Sequence, residues 1–245
     1  MRRKILNVFL LVAVAIIGLA FAFGQFNPRQ EMTIILSLGL GIIGLAGVFI
    51  SVILGINLVP NEIERRTIYT ILSKPVQRYQ FLCGKFLGGL LTVLSNIAIM
   101  GLVFVAVLFI KQPHLNTEVV KGVVMIFFQL TLLSAVALFF SVFLSPFVNF
   151  FLTFAVYLVG SLSSVTESMA SDPDHKKNVL VTTIFKVLHF VIPNFGNFNI
   201  QNPIIHPDVQ IVNETTYMLQ NIAYALIYTA ILLVVAVLIF DRREV

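Results

Sequence analysis

Six long, uncharged apolar runs constrain the fold of this chain more than any other feature of its sequence. None of them contains Asp, Glu, Lys, Arg or His, and they cover residues 5–23, 34–58, 87–110, 122–144, 147–165 and 222–240. A helix needs about 20 apolar residues to cross the hydrocarbon layer of a bilayer. Because backbone groups in lipid must be satisfied within the segment, each run predicts a transmembrane helix.

The composition supports a membrane protein. Of the 245 residues, 58% are hydrophobic and 11% are charged, and the mean hydropathy is +0.98. Soluble domains carry roughly 45–50% apolar and about 25% charged residues, so a soluble, disordered or fibrous chain is excluded. The single cysteine, Cys83, excludes a disulfide framework and a cysteine-ligated metal cluster. We therefore predict one all-α transmembrane domain over residues 1–245.

The basic residues predict the orientation of this domain. With the N-terminus inside, the cytoplasmic pieces 1–4, 59–86, 145–146 and 241–245 carry ten of the 16 Lys and Arg residues. This distribution follows the positive-inside rule and places both termini in the cytoplasm. It also explains the net charge of +5 without a nucleic-acid partner. The first run could instead be a secretory signal, but its core is long and residues 24–26 make a poor cleavage site.

Two loops are long enough to carry function. The external loop 166–221 contains Pro193 and a 14-residue segment, 179–192, that is too short to span a membrane. We expect a short amphipathic helix there, either at the outer membrane surface or packed in a small external subdomain. The other loop, 59–86, is cytoplasmic.

The cytoplasmic loop has the signals of a short helix. Asn61 is a favourable N-cap, and Glu64 follows three residues later as in a capping box. Glu62 and Arg66 form an i,i+4 pair in the favourable order, and Pro75 marks the end. The apolar residues spread around this helix, which suits a membrane on one side and a soluble partner on the other. A solvated turn that only joins two spans is the alternative.

Several residues are predicted at the membrane boundary or within the spans. The expected interfacial anchors are Lys74, Arg78, Lys85, Arg242 and Arg243. Gly84 and Gly88 form a GxxxG pair, which permits close helix approach. Asn96 and Gln129 are polar residues in the third and fourth spans. They either touch a transported substrate or hydrogen-bond between helices.

Catalytic and metal-binding patterns are missing from the sequence. There is no GxxxxGK[ST] phosphate-binding motif, so we expect no nucleotide site, no cofactor and no enzymatic activity in this chain. The four His residues have no helical pairing with another His or with Cys, which argues against a metal site. No ionisable residue lies within a span, which disfavours proton-coupled transport.

The cytoplasmic loop resembles a known family. The stretch Glu-Ile-Glu-Arg-Arg-Thr-Ile-Tyr-Thr-Ile-Leu-Ser-Lys-Pro-Val at 62–76, followed by Arg78 and by Phe-Leu-Cys-Gly-Lys-Phe-Leu-Gly at 81–88, is similar to type-2 ATP-binding-cassette (ABC) exporter permeases. Within that group it is most similar to the branch of multicopper-enzyme-maturation permeases. The chain's end, Phe-Asp-Arg-Arg-Glu-Val at 240–245, is similar to the family's terminal basic motif.

The resemblance implies a function. Such a chain is the membrane-spanning subunit of an exporter in the cell's inner (plasma) membrane, pairs with a second permease subunit and lines a pathway between them. ATP-Mg is hydrolysed on a separate cytoplasmic ATPase subunit. The helix within the cytoplasmic loop then corresponds to the coupling helix that docks on the ATPase, with the candidate residues Glu62, Glu64, Arg65, Arg66, Thr67 and Tyr69.

Other functions remain open from the residues alone. The chain could be a membrane scaffold that organises a complex through its external loop without transporting anything. An intramembrane enzyme is disfavoured by the missing catalytic groups. One departure from the family pattern concerns the amphipathic connecting helix that usually precedes the first span, since only residues 1–4 precede the first apolar run here.

Overall fold

The computed structural model describes residues 10–18, 31–56, 58, 60, 77–111, 117–162, 192–198 and 213–242. Helices account for almost all of these residues, and no strand occurs among them. We number the helices α1 to α6 along the chain. Their bounds are 10–18, Glu31–Ile56, Arg78–Lys111, Thr117–Ser141, Pro146–Ser161 and Glu214–Arg242. The predicted all-helical fold is therefore confirmed for the described residues.

Four of these helices are long and apolar enough to cross a membrane, and their spanning segments are Ile35–Ile56, Arg78–Ile110, Val119–Ser141 and Glu214–Arg242. The fifth predicted span, 147–165, corresponds to the 16-residue helix α5, which begins at Pro146 and ends at Ser161. The first predicted span, 5–23, is described only over the nine residues of α1. Length and composition thus identify four spans, α2, α3, α4 and α6.

Helix α4 is the centre of the bundle. It packs against α2, α3, α5 and α6. In both α2 and α4, 67% of the most apolar stretch is buried, compared with 17% in α6. Because lipid tails are as apolar as leucine, burial gives little hydrophobic gain here, and van der Waals contact between the helices stabilises the bundle instead.

Small residues bring α2 and α4 together. A Cβ atom added at Gly55 would collide with the Cβ of Ala137, and one added at Gly47 would collide with the side chain of Leu130. The two helices therefore come closest where these glycines leave room for side chains of α4. By contrast, a Cβ atom at Gly84 or Gly88 would meet nothing within 4 Å. This GxxxG pair has no close neighbour within the described part of the subunit.

The turn between α4 and α5 follows from its sequence. Helix α4 unwinds at residues 142–144, where Leu144 N–H donates to Phe140 O at 2.9 Å. Ser145 has an extended conformation at the N-cap, and Pro146 occupies the first turn of α5, where its missing N–H costs nothing. The two helices are also joined by Asn149, whose Nδ2 donates to Ala137 O at 3.0 Å.

Two contacts define the ends of the bundle. Arg78, at the start of α3, contacts Phe240 and Asp241 at the end of α6. Lys121, near the start of α4, pairs with Glu214 at the start of α6, with 2.8 Å between Nζ and Oε2. We call these the Arg78 end and the Lys121 end. Both contacts fit helices that alternate in direction along the chain.

Candidate functional site

At the Arg78 end, an arginine side chain caps the last long helix. Arg78 Nη1 donates to the backbone oxygens of Phe240 and Asp241, both at 3.1 Å. Its Nε lies 4.0 Å from Asp241 Oδ1. The last carbonyls of a helix have no partner within that helix. Arg78 therefore satisfies groups that would otherwise be exposed where α6 leaves the membrane.

Aromatic rings extend this contact into the bundle. The rings of Phe81 and Phe240 stack with their centroids 6.2 Å apart. Lys85 Nζ lies 5.7 Å from the centroid of the Phe81 ring, and the Arg78 guanidinium lies 6.0 Å from that of Phe240. Arg242, next to Asp241, is exposed. Three of the residues predicted as interfacial anchors therefore lie at one end of the bundle.

The other candidate residues predicted on the cytoplasmic side lie outside the described part of the chain. Lys74 and Arg243 lie outside the described residues, as do Glu62, Glu64, Arg65, Arg66, Thr67 and Tyr69. The predicted helix at 179–192 also lies outside them, except for Ile192, which is in a bend. The roles assigned to these residues remain predictions.

Toward the Lys121 end, a short non-helical segment enters the bundle. Residues 192–198, which we call the plug segment, end in a single 3₁₀ turn, Gly196–Phe198. Phe195 and Phe198 are 0% and 1% exposed. A Cβ atom at Gly160 of α5 would collide with Pro193 O and come within 2.6 Å of Phe195 Cδ2. Only glycine at position 160 lets the plug segment lie this close to α5.

Hydrogen bonds to three helices satisfy the backbone of the plug segment. Phe195 N–H donates to Gly160 O at 3.0 Å on α5. On α4, Gln129 Nε2 donates to Phe195 O at 3.2 Å. Two tyrosines of α6 contribute as well. Asn194 N–H donates to Tyr224 OH at 3.0 Å, and Tyr217 OH donates to Asn197 O at 2.8 Å.

The depth of the plug segment explains why it needs these partners. Gln129 follows Lys121 by eight residues on α4, which is about 12 Å along the helix axis. Phe195, which bonds to Gln129, therefore lies about this far into the bundle from the ion pair of Lys121 with Glu214, between helices that are apolar enough to cross a membrane. Non-helical backbone is tolerated at that depth only where protein surrounds it or where it lines a cavity.

The two polar residues predicted within the spans have different partners. Gln129 is 8% exposed and holds the plug segment. Asn96 Nδ2 donates to Thr92 O at 2.8 Å, one turn earlier on its own helix. Thr92 and Ser95 also bond to carbonyls of α3, those of Gly88 and Leu91. The polar side chains on this face of α3 thus form their hydrogen bonds within the helix itself, which makes the face compatible with lipid. A contact of Gln129 or Asn96 with substrate remains a prediction.

A cavity lies beside the plug segment. Its volume is about 380 Å³, and it is bounded by α2, α4, α5 and the plug segment. Leu40, Val48 and Phe154 contribute apolar walls, whereas Gln129 and Ser161 contribute polar atoms. A Cβ atom at Gly44, which also lines the cavity, would meet nothing within 4 Å. The cavity is therefore open beside this residue of α2.

Asn149 is one of several buried polar residues that the sequence did not single out. Asn149 of α5 is 0% exposed, and its Oδ1 accepts from Thr153 Oγ1 at 2.8 Å while its Nδ2 bonds to α4. An asparagine in lipid is unfavourable unless it is hydrogen-bonded. Its place within an apolar run was therefore the sequence signal that could have predicted a buried contact. Asn149 joins α4 to α5 near the Arg78 end and lies away from the cavity.

The described residues offer no site for a metal ion. Among them, no three His, Cys, Asp or Glu side chains come together. All four histidines, His114, His175, His189 and His206, lie outside the described part of the chain.

Comparison with known proteins gives the family. The sequence pattern described as "ABC-2 family transporter protein" matches residues 3–245, which is nearly the whole chain. No curated protein matches it. The match does not extend to the multicopper-enzyme-maturation branch, which stays a prediction. With its long apolar helices, this chain is a multi-pass membrane protein that belongs to the ABC-2 transporter family.

Proposed function

We propose that this chain is the membrane-spanning subunit of an ATP-driven exporter. The observation that carries the proposal is the family match over residues 3–245, since membership implies a permease subunit of an ABC transporter. Four helices that can cross a membrane support it. The finer features are part of the proposal. They are six spans, two permease subunits with the pathway between them, and location in the inner (plasma) membrane.

The energy for transport comes from a second protein in this proposal. The sequence has no phosphate-binding motif, so ATP-Mg is bound and hydrolysed on a cytoplasmic ATPase subunit. Residues 61–72 dock on that subunit and carry its closure into the spans. They precede α3 in the sequence, and Arg78 links the start of α3 to the end of α6. A movement of the loop would thus reach two helices at once.

The orientation is proposed from charge. Arg78, Lys85 and Arg242 lie at one end of the bundle, and Arg65 and Arg66 precede Arg78 in the sequence of the predicted cytoplasmic loop. Cytoplasmic ends of membrane proteins are enriched in Lys and Arg. The Arg78 end is then cytoplasmic, and the plug segment and cavity lie in the outer half of the membrane.

Affinity purification of the tagged full-length chain from its native membrane tests this function. We expect a protein with a Walker A motif to co-purify and to hydrolyse ATP. In the double variant Glu64→Ala/Arg65→Ala, its yield should fall at least tenfold while the chain remains folded by gel filtration. The control Glu167→Ala/Lys176→Ala removes the same charges from the external loop and should retain the ATPase.

Two results would count against the proposal. A folded wild-type chain that brings down no ATPase contradicts the transporter function and favours a scaffold. Equal ATPase yield from the Glu64→Ala/Arg65→Ala variant leaves the transporter function standing and overturns the docking site.

A further inference from the structure

The cavity beside the plug segment has the size of a ligand site. Its volume of about 380 Å³ lies within the range of roughly 300–1,000 Å³ that small-molecule sites occupy. It is more than twice the roughly 150 Å³ of an engineered apolar cavity that binds benzene. A packing defect between well-fitted helices would be smaller, so this space suits a ligand with a chain of several carbon atoms.

The residues that line the cavity disfavour a charged ligand. All of its lining residues are uncharged, and most are apolar. Transferring an unpaired charge into such surroundings is strongly unfavourable. An anionic or cationic group would find no counter-ion among the described lining residues, so the ligand we consider is neutral where it contacts them.

A few polar atoms at the cavity suit a hydrogen-bonding head group. Gln129 is more than nine-tenths buried, and its Nε2 is already engaged by Phe195 O. The amide oxygen Oε1 is the polar atom left to accept from a ligand. Ser161 of α5 belongs to the same lining, and its hydroxyl is buried without a hydrogen-bond partner among the described residues. A ligand with a hydroxyl group can therefore be held at this point.

The mouth of the cavity lies on the flank of the bundle. Leu45 of α2 and Leu158 of α5 both line the cavity and are 62% and 47% exposed. The fully buried rings of Phe195 and Phe198 also line the cavity. Because Leu45 and Leu158 lie on helices at membrane depth, a ligand enters sideways, from the apolar phase, and not along the aqueous end.

We propose that this cavity binds one uncharged single-chain amphipath, with its hydroxyl group at Gln129 and Ser161 and its chain against α2 and α5. Binding stands on the geometry of the cavity alone. That the ligand is also a cargo, or resembles one, rests on the proposed exporter function.

Photolabelling of the purified full-length chain in phosphatidylcholine nanodiscs, free of single-chain detergent, tests the binding. The probe is hexadecanol with a diazirine in its chain, and the matched anionic probe is the corresponding hexadecanoate at pH 8. We expect the alcohol to label residues within 40–49 and 154–161 at least fivefold more than the carboxylate does. Excess unlabelled hexadecanol should suppress this labelling in the wild-type chain. This competition tests the binding without relying on the folding of any variant.

Two variants locate the site. Gly44→Leu places a side chain in the open space of the cavity and should lower labelling at least fivefold. Gly18→Leu makes the same change at another glycine with open space around it and should leave labelling within twofold of wild type. Ser161→Ala should lower labelling severalfold, whereas Ser95→Ala on the exposed face of α3 should not.

The outcomes separate binding from transport. Labelling that is not suppressed by hexadecanol, or that persists in Gly44→Leu, overturns the pocket. Equal labelling by the carboxylate overturns its preference for an uncharged ligand. Neither result depends on an ATPase. Photolabelling therefore tests ligand binding, and co-purification of an ATPase separately tests the exporter proposal.

Discussion

Gln129 is the residue on which the plug segment depends most. Its amide is buried and bonds to Phe195 O, so Gln129→Leu leaves a buried carbonyl without this donor. Hydrogen bonds between membrane helices average about 0.6 kcal/mol, with a maximum near 1.7, and an unsatisfied buried group costs about 1–3 kcal/mol. We expect a loss of about 1 kcal/mol in the free energy of unfolding, measured by titration with SDS in mixed micelles.

Asn96→Leu is the matched control for this loss. The Asn96 amide bonds only to Thr92 O on its own helix, so its removal should change the unfolding free energy by less than about 0.5 kcal/mol. Equal effects of the two substitutions would contradict the role of Gln129 as the anchor of the plug segment.

Gly160 makes room for that segment. Gly160→Ala should displace Pro193 and Phe195 and destabilise the fold by about 1–3 kcal/mol, as overpacking does. Gly44→Ala, also on a helix but facing open space, should be neutral or stabilise by up to about 1 kcal/mol. The same SDS titration measures both variants, and a harmless Gly160→Ala would show that the close approach is not required.

At the scale of a helix, the contact of Arg78 with the end of α6 predicts how stable the last turn of α6 is. Arg78→Gln removes the fork that bonds to Phe240 O and Asp241 O, and should free the last turn of α6. Because Arg78 is about one third exposed, we expect a cost of only about 1 kcal/mol. Hydrogen exchange at residues 238–242 should rise in Arg78→Gln and stay unchanged in Arg242→Gln. Equal protection in both variants would contradict the cap.

Apolar run length predicted the helices well but not their full extent. Helix α3 begins at Arg78, nine residues before its apolar run, and α6 begins at Glu214, eight residues before its run. Hydropathy marks only the part of a helix that lies in hydrocarbon. Helices continue into the interface, where polar residues such as Arg78 and Glu214 find partners on other helices.

The plug segment shows what sequence periodicity cannot predict. Its conformation depends on Gln129, Gly160 and Tyr224, which are between 30 and 66 residues away in the chain. Pro193 was noted in the predicted external loop, but no local signal showed that this segment enters the bundle. Gln129 itself was singled out as a polar residue in a span, although its partner could not be foreseen.

At the scale of the whole molecule, the packing of the helices indicates which interface can move at the lowest cost in free energy. Helix α2 lies close to α4 through Gly47 and Gly55, whereas the cavity interrupts its contact with α5. A closely packed interface resists sliding because its contacts are lost together. We therefore expect the mouth between Leu45 and Leu158 to change its width during transport.

The most direct test of ATP-driven coupling is a distance across this mouth. Spin labels would be attached to the variants Leu45→Cys and Leu158→Cys in a Cys83→Ser background. Pulsed electron paramagnetic resonance would then measure the distance between the two labels in the complex with the co-purified ATPase. The account predicts a shift in the distance distribution on adding ATP-Mg, and loss of that shift in the Glu64→Ala/Arg65→Ala variant. Identical distributions with and without ATP-Mg in the wild-type complex would contradict it.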